Sequence, residues 1–143
     1  MNIGSRPLFI DTCALSDKDF IDWLTKYTGK KSISSVVYME FSLYLFSRGK
    51  EPDDVEYLLK KMEISVSPFT KKCAKNAAII MEGIGNDRRC RMCGNINWND
   101  CIIAADTPCA PSVLVTKNIK HFEMLLDWKG RLKTPAEVMS KSY

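Results

Sequence analysis

Short apolar runs of strand length alternate with amphipathic stretches of helical period along most of the chain. This alternation limits the fold more than any other feature. "PLFI" (7–10), "SISS" (32–35), "EISVSPF" (63–69, cut off by Pro68) and "SVLVT" (112–116) are the strand candidates, and "GRLKT" near the end adds an edge candidate. A first helix is expected through "SDKDFIDWLTKY", with Ser16 as N-cap, Gly29 as stop, and Phe20, Ile21, Trp23 and Leu24 as its apolar stripe. A second is expected over 36–48, ended by Gly49, and a third opens at Pro52 with Val55, Leu58, Leu59 and Met62 at helical spacing. Further helices are expected over 70–84, over 98–107 (stopped by Pro108), in "KNIKHFEML" and in "PAEVMSK", with a polar loop over 86–97. Strands alternating with helices predict an α/β fold of three layers, α/β/α, around a central parallel sheet of four or five strands. The length of 143 residues predicts one domain spanning 1–143.

A composition of 45% hydrophobic and 27% charged residues is globular. The longest apolar runs, such as "AAIIM" (77–81) and "CIIAA" (101–105), fall far short of the roughly 20 residues that cross a bilayer. "MNIGSRPLFID" lacks the apolar core and cleavage site of a signal peptide, so the chain is expected to be cytoplasmic with no membrane partner. Its net charge of +4 is concentrated in "TKKCAK" (70–75), "DRRCRMCG" (87–94) and "TKNIKHF" (116–122), with Lys129, Arg131 and Lys133 following. Such a bias suits a polyanion, and a solvated basic face accounts for it too. The six cysteines form no regular framework. Cys90 and Cys93 make one C-x-x-C without a second ligand pair, so a local disulfide or two ordinary thiols are expected rather than zinc. A redox or metal-sensing role for this pair would leave the acids described next unexplained.

Three acids sit inside or against apolar runs. Asp11 ends the first strand, at the sheet edge where open parallel sheets bind ligands, and it is equally suited to cap the turn that follows. Glu40 lies in "SVVYMEFSLYLF", a helix apolar on every side, so its carboxylate is expected to be buried and held by a metal or by a basic side chain. The same all-round apolarity implies that part of this helix packs against another chain. Asp100 opens the helix in "NINWNDCIIAAD", where the helix dipole favours it, and Asn97 and Asn99 add oxygen donors beside it. Asp106, six positions on, is expected to face elsewhere and is given no role. Three converging carboxylates would repel one another without a cation between them. Hard oxygen donors without His or Cys favour Mg²⁺ or Mn²⁺, as in a phosphoryl-transfer site.

"FIDTCAL", "SSVVYMEFSLYL", "NDCIIAAD" and "VLVTKNIKHFEML" follow in order over nearly the whole length. In these four motifs the chain resembles the PIN-domain ribonucleases, in particular the VapC-type toxins of prokaryotic toxin–antitoxin pairs. The resemblance implies a parallel sheet flanked by helices, and a Mg²⁺- or Mn²⁺-dependent endonuclease that cuts RNA and pairs with an antitoxin protein. It carries Asp11, Glu40 and Asp100 over as metal-binding catalytic acids. The fourth motif departs from the pattern. Many relatives place another acid after "VLVT", whereas this chain offers Thr116, Asn118, His121 and Glu123. Asn118 is taken as the fourth site residue, supplying a neutral oxygen or holding a water. His121 is assigned to phosphate contact or to packing beside Phe122, and Glu123 lies too far along. Thr12 and Thr116 either hydrogen-bond a ligand or phosphate or serve as helix caps. "RRCRMCG" with Trp98 fits an RNA guide, or Trp98 is core. Tyr38, Phe41, Leu45 and Phe46, with the helix at 52–63, fit a homodimer seam or an antitoxin groove. A non-catalytic PIN module that binds RNA or a protein stays open because Asn118 is neutral.

Overall fold

A computed structural model of the chain describes residues 6–84 and 98–140. Cys90, Cys93, Asn97, the basic "RRCRMCG" and the loop expected over 86–97 lie outside the described residues. Five strands form one sheet: β1 (Leu8–Ile10), β2 (Lys31–Ser34), β3 (Ile64–Ser67), β4 (Val113–Val115) and β5 (Leu132–Lys133). Their order is β3-β2-β1-β4-β5 and every pairing is parallel. Helices flank this sheet in the three-layer α/β/α arrangement that the alternation of the sequence predicts. β1 and β4 are apolar at every position because both of their faces are covered: Leu8, Phe9, Ile10, Val113, Leu114 and Val115 are all buried. Phe9 stands opposite Leu114 and Ile10 opposite Val115.

The helices are α1 (Lys18–Lys26), α2 (Ser35–Phe46), α3 (Pro52–Lys61), α4 (Lys71–Ile84), α5 (Trp98–Asp106), α6 (Ile119–Phe122) and α7 (Pro135–Ser140). α1 packs on α7, whereas α2 packs on α3 and α5, and α5 also meets α4 and α6. Among these helices none is long and apolar enough to cross a membrane.

Both boundaries of α1 differ from the sequence-based expectation, each for a physical reason. Ser16 is not the N-cap of α1. Its hydroxyl donates to the Cys13 carbonyl at 2.8 Å within a 3₁₀ turn over Thr12–Ser16, and Asp17 caps α1 by accepting from the Phe20 N–H at 3.1 Å. Gly29 does not stop α1 either. The helix ends at Lys26, where Lys31 reaches back from β2 and donates its ammonium to the Leu24 carbonyl at 2.7 Å and the Tyr27 carbonyl at 3.0 Å. Lys31 is buried, and that burial lowers its pKa. Gly29 is needed for room, since a Cβ there would lie 2.5 Å from the Tyr27 ring.

α2 sets one wall of the site. Ser34 caps it by accepting from the Val37 N–H at 3.0 Å. Gly49, at φ +80°, closes it in a Schellman turn, with Lys50 N–H donating to Leu45 and Gly49 N–H to Phe46, both at 3.0 Å. The helix is not enclosed on all sides. Val37, Phe41 and Leu45 are core, while Met39, Leu43 and Phe46 are 49%, 61% and 42% exposed. Phe41 and Leu45 therefore do not form a docking face; the outward apolar side is Met39, Leu43 and Phe46, which line a groove with Pro52 and Val55 of α3. Glu40 is correspondingly half-buried rather than sealed in the core.

Candidate active site

The strand order reverses between β1 and β4, and the crevice beyond their carboxyl ends is where such sheets bind ligands. Asp11 follows β1 directly and Thr116 follows β4, so each stands on one lip of this crevice. The Asp11 N–H extends the ladder to the Val115 carbonyl at 2.9 Å, which fixes the backbone before the chain turns away. Asp11 is 4% exposed. One carboxylate oxygen, Oδ1, accepts from the Thr12 N–H at 2.8 Å. The other, Oδ2, accepts from the Thr116 hydroxyl at 2.7 Å and from the Cys13 thiol at 3.2 Å. Asp11 thus caps the 3₁₀ turn through Oδ1 while Thr116 and Cys13 hold Oδ2.

The supports continue outward. Asn118 N–H donates to Thr116 Oγ1 at 3.0 Å, and Lys117 N–H donates to Cys13 Sγ at 3.2 Å. Thr12 Oγ1 donates to Glu40 Oε1 at 2.8 Å, joining the turn after β1 to α2. Asn99 Nδ2 approaches Glu40 Oε2 at 3.4 Å from the first turn of α5. Asp100, the next residue, is nearly buried, and its Oδ2 lies 3.1 Å from His121 Nδ1 on α6. Asp11, Thr12, Glu40 and Asn99 are thus joined in one series of contacts, while Asp100 is joined to His121 and Asp11 to Thr116 from the segment after β4. Asn118 is exposed on that segment and its side chain does not cap α6. Trp98, at the start of α5, is 39% exposed and so is not sealed in the core. Asp106 faces away, accepting from Ser67 Oγ at 3.4 Å near Cys73.

Two features of the site went unread in the sequence. Cys13 counted only as one more cysteine, yet a side chain two residues past a strand-end acid folds back onto that acid. Its thiol is pushed up to about 11, first by burial and then by the charge of Asp11, so it stays protonated and donates. The partnership of His121 with Asp100 depends on α6 meeting α5, for which no local spacing is a guide.

The donor set suits a hard divalent cation. Asp11, Glu40 and Asp100 offer carboxylate oxygens, and no soft thiolate competes, because Cys13 holds its proton. The arrangement is open, however. Among the described residues no three His, Cys, Asp or Glu side chains close into a cluster that could hold a metal ion.

A five-stranded parallel sheet with an acid, Asp11, at its switch point defines the chain as an open-sheet α/β protein. The sequence model of the PIN domain matches residues 8–106, and the chain belongs to the PIN-domain family. Solved structures agree in fold. A chain of VapBC-1 from nontypeable Haemophilus influenzae matches with a TM-score of 0.62 at 17% identity, over 89% of this chain and 95% of that one. A chain of VapBC2 from Rickettsia felis, solved bound to a DNA fragment from their promoter, gives 0.58 at 20% identity, over 89% and 96%. PAE2754 from Pyrobaculum aerophilum gives 0.57 at 14% identity, over 97% and 94%. No curated protein matches the sequence significantly.

Proposed function

We propose that this PIN-domain chain is a divalent-metal-dependent endoribonuclease and serves as the toxin of a toxin–antitoxin pair. One observation carries the reading. Thr12 bridges Asp11 to Glu40 at the switch point, and Asn99 links Glu40 to the helix start that holds Asp100. Mg²⁺ or Mn²⁺ held by Asp11, Glu40 and Asp100 would neutralise phosphodiester charge and acidify the attacking water. The chain's own contribution is orientation. Thr12, Cys13 and Thr116 fix the Asp11 carboxylate, and Asn118 supplies a neutral amide from the exposed turn beside it. Lys117 and Lys120 stand exposed on the same segment, in surface pairs with Asp17 and Glu123 at 3.5 and 3.3 Å. Such pairs are weak and exchange readily for RNA phosphates. Trp98 offers a ring on which a base can stack. In this reading the activity belongs in the cytoplasm.

The antitoxin partner is supported by the fold similarity to chains of two VapBC structures. The docking face is the groove of about 310 Å³ between α2 and α3, lined by Tyr38, Met39, Leu43, Phe46, Pro52 and Val55. A second copy of the chain and an antitoxin helix are its two occupants in this reading.

Cleavage of a mixed, structured RNA by the purified protein with Mg²⁺ or Mn²⁺, with EDTA and Asp100→Asn as controls, tests the proposal. Metal-dependent cutting that Asp100→Asn abolishes is the expected result. A second reading, the non-catalytic module that binds RNA or a protein, draws on the open spacing of the acids. Calorimetry showing no Mn²⁺ uptake, together with no cutting, would favour it.

A further inference from the structure

The segment after β4 carries no acid nearer than Glu123, yet it touches two of the three acids from the other motifs. Thr116 donates to Asp11 Oδ2 at 2.7 Å, and His121, five residues on, sets Nδ1 at 3.1 Å from Asp100 Oδ2. We propose that His121 is a positioning residue that holds the Asp100 carboxylate for metal binding through Nδ1–H. This rests on the metal-site reading above and adds a residue to it.

The imidazole meets a ligand acid, and its place is fixed from behind. The His121 backbone N–H donates to the Asn118 carbonyl at 3.0 Å. Phe122, the next residue, is fully buried and packs edge-to-face on Trp128, whose indole N–H donates to the Phe122 carbonyl at 2.7 Å. The short helix α6 is thereby pinned to the core, and His121 is pinned with it. A carboxylate that rotates freely must lose that freedom when it takes a metal, so a fixed donor on one oxygen raises affinity. Asp11 has Thr12, Cys13 and Thr116 for this purpose, and Glu40 has Thr12 and Asn99. His121 does the same for Asp100. Either the neutral Nδ1–H tautomer or the protonated ring makes the bond, so the role does not depend on titration.

Mn²⁺ calorimetry on the full chain, with kcat and KM for RNA cleavage measured in parallel, tests this on His121→Ala, His121→Asn and His121→Gln. Asn places its amide N–H near the position of Nδ1, whereas Gln places it near Nε2. The expected result is Mn²⁺ affinity lowered about 10- to 100-fold in Ala and Gln, recovered in Asn, with KM for RNA little changed. Wild-type Mn²⁺ affinity in His121→Ala overturns the proposal while leaving the nuclease reading intact, and so does equal loss in Ala and Asn. No Mn²⁺ uptake by the wild type overturns both. A readout without any variant comes from His121 being the sole histidine. A long-range proton–nitrogen spectrum in alkaline buffer should show the Nδ1–H tautomer, and the Nε2–H tautomer would sink the proposal.

Discussion

Asp100 and Asp106 occupy the two ends of one helix, and their surroundings separate their roles. Asp100 opens α5, where the dipole favours its charge; Asp106 closes it, where the dipole opposes it. Burial raises the pKa of Asp106 despite hydrogen bonds from Cys73 and Ser67. The folded state thus holds this proton more tightly than the unfolded chain does. The penalty for its charge is present in full above the raised folded value and fades as pH falls through it. Asp106→Asn is expected to stabilise the protein at neutral pH by a few tenths to about 1 kcal/mol, roughly 1–4 °C in Tm. The gain should shrink toward the ordinary carboxylate pKa of about 3.9; thermal melts across that range check it, and an equal gain at every pH would refute the assignment. At this scale the sequence was readable wherever an acid stood against an apolar run, because residue type alone states that oddity. The neutral donors that hold the acids were less legible. Thr12 and Thr116 suit capping equally well, and Cys13 and His121 find their partners only when separate segments meet.

Strand and helix identities followed from periodicity, and the parallel sheet from their alternation, since both depend on local pattern. The ends of α1 were misplaced because its true stop is tertiary: Lys31, on the next strand, supplies the donors that a C-cap glycine would otherwise replace. Gly49 was legible because its positive φ is a local demand. The two glycines are therefore required for different causes. Gly49→Ala meets no atom within 4 Å and should cost about 1 kcal/mol from backbone strain alone. Urea denaturation of this variant checks the figure, and an unchanged midpoint would show that the α2 terminus does not need the left-handed turn. Gly29 has an ordinary φ but no room beside Tyr27.

For the whole molecule, the outward side of α2 is the feature that a single core leaves uncovered. Met39, Leu43 and Phe46 follow one another at helical spacing, and all are exposed. If this face is the homodimer seam, Leu43→Asp should give a monomer by light scattering, with stability within about 0.5 kcal/mol of wild type because the site is on the surface. A wild-type chain that is already monomeric would rule the seam out. The expectation that Phe41 and Leu45 dock a partner failed because a helix apolar all round does not reveal which stripe its own sheet will take.

The bond between Thr116 and Asp11 joins residues 105 positions apart. A ribosome releases its product from the amino end, so Asp11 emerges long before the strand and hydroxyl that complete its surroundings. A nascent chain that has exposed Asp11, Glu40 and Asp100 still lacks β4, Thr116 and His121. The cell that translates this protein thus meets a finished crevice only after His121 has emerged, and translation interrupted before that point yields fragments without one.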